Sequence, residues 1–171
     1  RTDLLLAGEV QALQTSSNTN IDILENSEGI YNFIDVTTDE SFIMLNSSVA
    51  PFDDIRARRA LAYATPKEDY IALITAGLGV PADQLFHPDN PYHNPAVKQE
   101  ADMPDEAAAL AAEYCADVPA SCTDGKIKME YQFVEGSVLN QRIAELLEKG
   151  WSGAFDVTFD LKPQQGHIQD A

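Results

Sequence analysis

No run of this chain approaches the roughly twenty consecutive apolar residues that a membrane-spanning helix needs. Positive charge is also scarce. Eleven Lys and Arg stand against 28 Asp and Glu, for a formal charge of −17 and an isoelectric point near 4.2. A phosphate backbone or an anionic bilayer surface is held by basic side chains, so this balance argues against nucleic acid and polybasic membrane attachment. The acidity reads first as a solubility device, suited to a salty habitat; attraction of a cationic ligand is the sharper alternative.

Common catalytic signatures are missing as well. There is no Gly-Lys-Ser/Thr phosphate loop and no Gly-x-Ser-x-Gly elbow, since Ser137 follows Gly136 without a matching second glycine. Gly77-Leu78-Gly79 opens like a dinucleotide fingerprint, but it follows a helical pattern and Ala82 occupies the third glycine position. His87, Asp89 and His93 lie in HPDNPYH, which lacks the helical HExxH spacing and a clear third ligand. They read as loop residues packed down by Pro88 and Tyr92. The adjacent carboxylates Asp53 and Asp54 read as a helix cap rather than an acid–base pair. No cofactor or metal is expected, and no catalytic residue.

Only two cysteines occur, Cys115 and Cys122, bracketing ADVPAS. Pro119 ends the helix that carries the first. A returning loop would join the sulfurs in a disulfide and place the domain in an oxidising compartment. Two free thiols are the alternative; a metal pair has no second Cys or His pair to complete it.

At 171 residues the chain is long enough for one domain, 1–171, with a sizeable core. Its pattern alternates strands with helices. Asp3 to Ala7 reads as the end of a helix stopped by Gly8, and Glu9 to Leu13 as a short strand. Ile21 to Leu24 is apolar enough to pack, and Gly29 breaks it. Ile30 to Val36 and Ser41 to Asn46 read as strands. In the second, Phe42, Met44 and Asn46 share one face and Ile43 and Leu45 the other.

Ala57, Ala60, Leu61 and Ala64 form the inward stripe of a helix after Asp53-Asp54. A helix from Pro66 carries Tyr70, Ile71, Leu73 and Ile74 and ends at Gly77. Residues 80–96 hold four prolines and form an irregular loop. Pro104 opens a helix with Ala107, Leu110, Ala111 and Tyr114 inward. A strand over Lys126 to Val134 follows. A Ser137-capped helix then carries Leu139, Ile143, Leu146 and Leu147 and stops at Gly150. Phe155 to Leu161 is an alternating strand. Trp151 fills a gap between layers. This order defines a layered α/β domain. The start at Arg1 and the apparent helix beginning over Gly166 to Ala171 suggest an excised piece.

The segment LNSSVAPFDDIRARRALAYAT, with Gly77, Pro81 and Phe86-His87-Pro88 beyond it, resembles the signature stretch of extracellular solute-binding proteins of the peptide/nickel class, family 5. Leu5, Leu6, Gly8, Glu9 and Val10 resemble that family's L-x-x-G-E-V-D passage, with Gln11 for Asp. Pro104 to Cys115 resembles its D-x-x-K-A-x-x-L-L-x-x-A-G helix, with Glu106 for Lys and Tyr114-Cys115 for Ala-Gly. Pro66 departs from the family's Asp.

The resemblance implies one partial lobe, the second, of a type 2 periplasmic binding protein-like fold, whose two lobes close over a ligand. It implies a periplasmic or extracellular location and an ABC importer role. The partners would be a peptide or other small-molecule ligand and the permease subunits. Attachment to the membrane would be peripheral, any lipid anchor lying outside this piece. Relatives place the strand ending at Leu45-Asn46 near the cleft, which makes Phe42, Met44 and Asn46 the candidate ligand-binding residues. An acidic extracellular hydrolase and a protein-interaction module are the competing readings.

Overall fold

The computed structural model describes residues 1–34 and 41–162. Local chemistry sets most element ends. Helix α1 (Thr2–Leu6) runs out at Gly8, whose φ of +73° only glycine adopts freely. Helix α2 (Asn18–Glu25) is capped by Ser17, whose hydroxyl accepts from the Asn20 N–H, and buries Leu24. Helix α3 (Ile55–Ala64) starts at Asp54, whose carboxylate accepts the Arg56 N–H at 2.7 Å. Pro66 caps the short α4 (Lys67–Leu73). Pro104 opens α5 (Pro104–Asp117), with Asp105 and Glu106 at its positive end.

Strand β1 (Cys122–Thr123) turns through Asp124 and Gly125, both at positive φ, into β2 (Lys126–Val134). This is the Asp-Gly chemistry of a two-residue hairpin. Helix α6 (Val138–Trp151), capped by Ser137, then crosses to β3 (Phe155–Lys162). The sheet order is β1-β2-β3. β1 and β2 are antiparallel; β2 and β3 are parallel, with Ile127 opposite Phe155 and Val134 opposite Lys162.

One core lies between the sheet's apolar face and the helices. Ala57, Ala60, Leu61 and Ala64 meet Ala107, Ala111 and Tyr114, so small side chains let α3 and α5 approach closely. Ile127, Met129 and Phe155 close the core from the sheet, and Leu147 and Trp151 from α6. Trp151 is fully buried, and its indole N–H donates to Thr65 Oγ1 at 3.1 Å. The opposite sheet face, with Lys128, Glu130, Asp156 and Thr158, is polar and exposed. The expected α/β layering is present, with helices on one face among the described residues.

Cys115 and Cys122 form a disulfide that ties the end of α5 to β1. Arg56 joins the start of α3 to the end of α5. Its guanidinium lies 2.7 Å from Asp54 and 2.6 Å from Asp117, and it stacks over the Tyr114 ring at 5.8 Å.

Several expectations change. Residues 9–13 form no strand, and neither do 30–34; residues 35 and 36, and the expected helix start at 166–171, lie outside the described residues. Residues 41–46 belong to no ladder among the described residues, yet the alternation survives. Ile43 and Leu45 pack on the core, and Phe42, Met44 and Asn46 face out. Burial of the two aliphatic side chains, rather than strand pairing, holds this segment. Leu139 lies half out of the α6 apolar face. Gly150 does not end α6, which continues to Trp151. A Cβ there would lie 2.6 Å from Pro66 Cδ and 3.1 Å from the Ala64 carbonyl oxygen. Close approach, not termination, is what requires glycine.

Candidate functional site

The carboxyl ends of parallel strands are where α/β sheets commonly receive ligands. Here that end of β2 and β3 carries an aromatic shelf. Tyr131 and Phe133 alternate on β2, and Phe159 projects from the register partner of Tyr131. The ring centroids are 6.0 Å apart for Tyr131–Phe133, 6.3 Å for Tyr131–Phe159 and 5.6 Å for Phe133–Phe159, the last pair nearly perpendicular. All three rings are half-buried. Tyr131 also sets its edge against buried Trp151 at 5.4 Å, which anchors the shelf in the core. Burial, with the Tyr70 phenol nearby, raises the Tyr131 phenol above its ordinary pKa.

Helix α4 links the shelf to residues 41–46. The Tyr70 hydroxyl donates to Ser41 Oγ at 3.2 Å, directly before Phe42. Phe42 and Met44 are 76% and 78% exposed, unusual for such side chains. Asn46 differs. Its amide oxygen accepts from the Ser48 N–H at 3.1 Å and hydroxyl at 2.6 Å, forming a local turn. Its NH₂ is the group left to point outward.

Tyr70, Tyr131 and Phe133 are the residues that sequence reasoning missed. Alternation on β2 was visible, but nothing in the sequence says that Tyr70, sixty positions earlier, comes to the same end of the sheet. The strand-end rule applied to β2 and β3 would have flagged the rings.

The other candidates keep structural roles. The His87 imidazole lies 3.5 Å from Asp89, and His93 Nδ1 lies 3.0 Å from the Phe86 carbonyl oxygen within the loop. No group of three or more His, Cys, Asp or Glu able to hold a metal occurs among the described residues. Two surface depressions, of about 190 Å³ beside Phe155 and about 240 Å³ beside Tyr114, are smaller than usual small-molecule sites. Neither includes Phe42 or Met44. Phe42 and Met44 thus form an exposed apolar wall among the described residues.

Solved structures share the fold. The oligopeptide-binding protein AppA of Bacillus subtilis, in complex with a nonapeptide, superposes with a TM-score of 0.66 at 19% identity, over 98% of this chain and 35% of AppA. NikZ of Campylobacter jejuni, in complex with Ni(L-His), gives 0.54 at 19% identity, over 71% and 25%. The fold is that of type 2 periplasmic binding proteins, carried in part.

The family profile "Bacterial extracellular solute-binding proteins, family 5 Middle" matches residues 1–170, and the chain belongs to this family. Over 111 residues it is 30% identical to the nickel-binding periplasmic protein of Escherichia coli K12, covering 62% of this chain and 21% of that protein. It is 26% identical over 111 residues to the dipeptide-binding protein of the same strain, covering 65% and 20%. The chain therefore spans about a fifth of the length of these relatives. No helix among the described residues is long and apolar enough to cross a membrane.

Proposed function

We propose that this chain is most of the second lobe of the solute-binding component of an ABC importer. It captures an oligopeptide, a dipeptide or a similar small polar solute outside the cytoplasmic membrane and presents it to the permease subunits. The family match across residues 1–170 carries this reading. The open wall supports it: Phe42 and Met44 project beside the Tyr70–Ser41 contact, on a segment pinned by Ile43 and Leu45. In the intact protein a facing lobe would cover these side chains, and ligand contact with both lobes would favour the closed state. Phe42 and Met44 would supply apolar contact, and the Asn46 NH₂ a donor to a ligand carbonyl.

The test is the melting temperature of the full-length protein against di- and oligopeptides, nickel salts and sugars. Ligand that binds only the folded state raises it by mass action, with about 2.7 kcal/mol of stabilisation at a hundredfold excess over Kd. A saturable rise with peptides, weakened by Phe42→Ala or Met44→Ala, is expected. A rise with nickel alone replaces the cargo, and no rise across the panel overturns the receptor reading.

A further inference from the structure

We propose that Asn46 is the acceptor of an N-linked glycan, carried at the start of the turn that follows Phe42 and Met44. The inference rests on the extracytoplasmic part of the reading above, not on the identity of the cargo.

The sequence singles this residue out. Asn46-Ser47-Ser48 has the Asn-x-Ser/Thr order of an N-glycosylation acceptor, with a residue other than Pro in the middle, and no other asparagine of the chain stands in that order. The fold presents it. Residues 46–50 are exposed and belong to no helix or strand, so a transferring enzyme reaches the side chain without unfolding a regular element.

Local hydrogen bonding orients the amide. Its oxygen accepts the Ser48 N–H at 3.1 Å and the Ser48 hydroxyl at 2.6 Å. Drawing electron density onto the oxygen makes the NH₂ hydrogens more acidic, and that NH₂ is the group left outward. The turn alone does not make an acceptor. Asn90 and Asn94 close the same kind of turn on the N–H groups of Tyr92, at 2.9 Å, and Ala96, at 3.0 Å. There Pro91 and Pro95 stand in the middle, and neither Tyr92 nor Ala96 is a Ser or Thr. Asn46 joins the turn to a serine hydroxyl two residues on.

The Cys115–Cys122 disulfide fits an oxidising compartment, the side of the membrane on which such sugars are transferred. The donor would be an oligosaccharide joined at its C1 through phosphate to a polyprenol. The C1–O bond to phosphate breaks and its electron pair leaves with the phosphate. The bond from Asn46 Nδ2 to C1 forms, and Nδ2 gives up one proton to a base of the transferring enzyme. Nothing is oxidised or reduced. One N–H remains on Nδ2, so the donor proposed for a ligand carbonyl is kept.

The experiment is peptide mapping by mass spectrometry of the full-length protein isolated from its own host, with fragmentation that leaves sugars attached. The peptide containing Asn46 is expected to carry sugar mass on that residue. Asn46→Gln and Ser48→Ala should each remove it entirely, and Ser48→Thr, which keeps the hydroxyl, should retain it. Melting of each variant checks that it folds. An unmodified Asn46 in protein recovered outside the cytoplasmic membrane overturns the acceptor and leaves the receptor reading standing. Added mass that persists in Asn46→Gln also overturns it, because the sugar then sits elsewhere. Protein recovered only inside the cell, with Asn46 unmodified, overturns the acceptor and the extracytoplasmic reading together.

Discussion

Gly150 shows how one missing methyl positions a helix. Alanine at an ordinary helix interior would be favoured by about 1 kcal/mol. Here the added Cβ would meet Pro66 Cδ at 2.6 Å and the Ala64 carbonyl oxygen at 3.1 Å. Neither neighbour is a flexible side-chain end, so overpacking at about 1–3 kcal/mol outweighs the propensity gain. Gly150→Ala should lower the urea midpoint, with Gly153→Ala, where nothing lies within 4 Å, as the control. Asp54 gives a second residue-scale expectation. Hydrogen bonds from the Arg56 side chain and N–H hold its carboxyl below the ordinary carboxylate range. A depressed folded pKa contributes stability that is fully present above about pH 4 and is lost as pH falls through the folded value. Asp54→Ala should therefore cost about 1 kcal/mol at pH 7, the worth of a cap. Its deficit against the unmodified chain should shrink below pH 4, as paired denaturation curves would show.

Helix α4 matters more than its length suggests. It has no fully buried residue, so polar contacts carry its position. Lys67 Nζ donates to the Ala82 carbonyl at 2.6 Å and to that of Gln99 at 3.4 Å, drawing the two ends of the Pro-rich segment together. The Gln99 N–H bonds the Asp83 carbonyl at 2.7 Å, and Gln84 exchanges hydrogen bonds with the Asn94 backbone. Burial lowers the Lys67 pKa, the signature of an amine drawn partly out of water. Lys67→Met should thus speed amide exchange at Gln99 and Asn94 about tenfold, equivalent to about 1.4 kcal/mol of local opening, with exchange in β2 unchanged. Equal acceleration in both places would show that Lys67 holds the whole fold rather than the loop.

The same element marks where sequence reading stops. The α3 stripe, the Asp54 cap, β2 and β3 followed from periodicity and end chemistry, which are local. Residues 41–46 kept their alternation but not their strand, because pairing depends on a neighbour the pattern does not specify. The alternation put Phe42 and Met44 on the outward face, whereas Tyr70 reaches Ser41 only through the tertiary path of α4.

At the scale of the whole molecule the charge of −17 is the dominant long-range term. Two effects of salt oppose each other. Screening weakens favourable pairs such as Arg56–Asp117, and partly exposed pairs of this kind contribute about 0–1 kcal/mol each. It also weakens the mutual repulsion of 28 acidic side chains set against 11 basic ones, which is summed over many more pairs. The Debye length falls from about 10 Å at 0.1 M to about 3 Å at 1 M, so most of that repulsion disappears across this range. The repulsive sum should prevail. The melting temperature of the chain is expected to rise by about 5 °C between 0.1 and 1 M NaCl, equivalent to about 1–2 kcal/mol at this size. Scanning calorimetry in NaCl, with equal osmolality of sucrose as the comparison, separates screening from general exclusion of solute from the surface. A flat or falling response would mean that the acidic side chains are spaced widely enough not to interact, leaving solubility as their role.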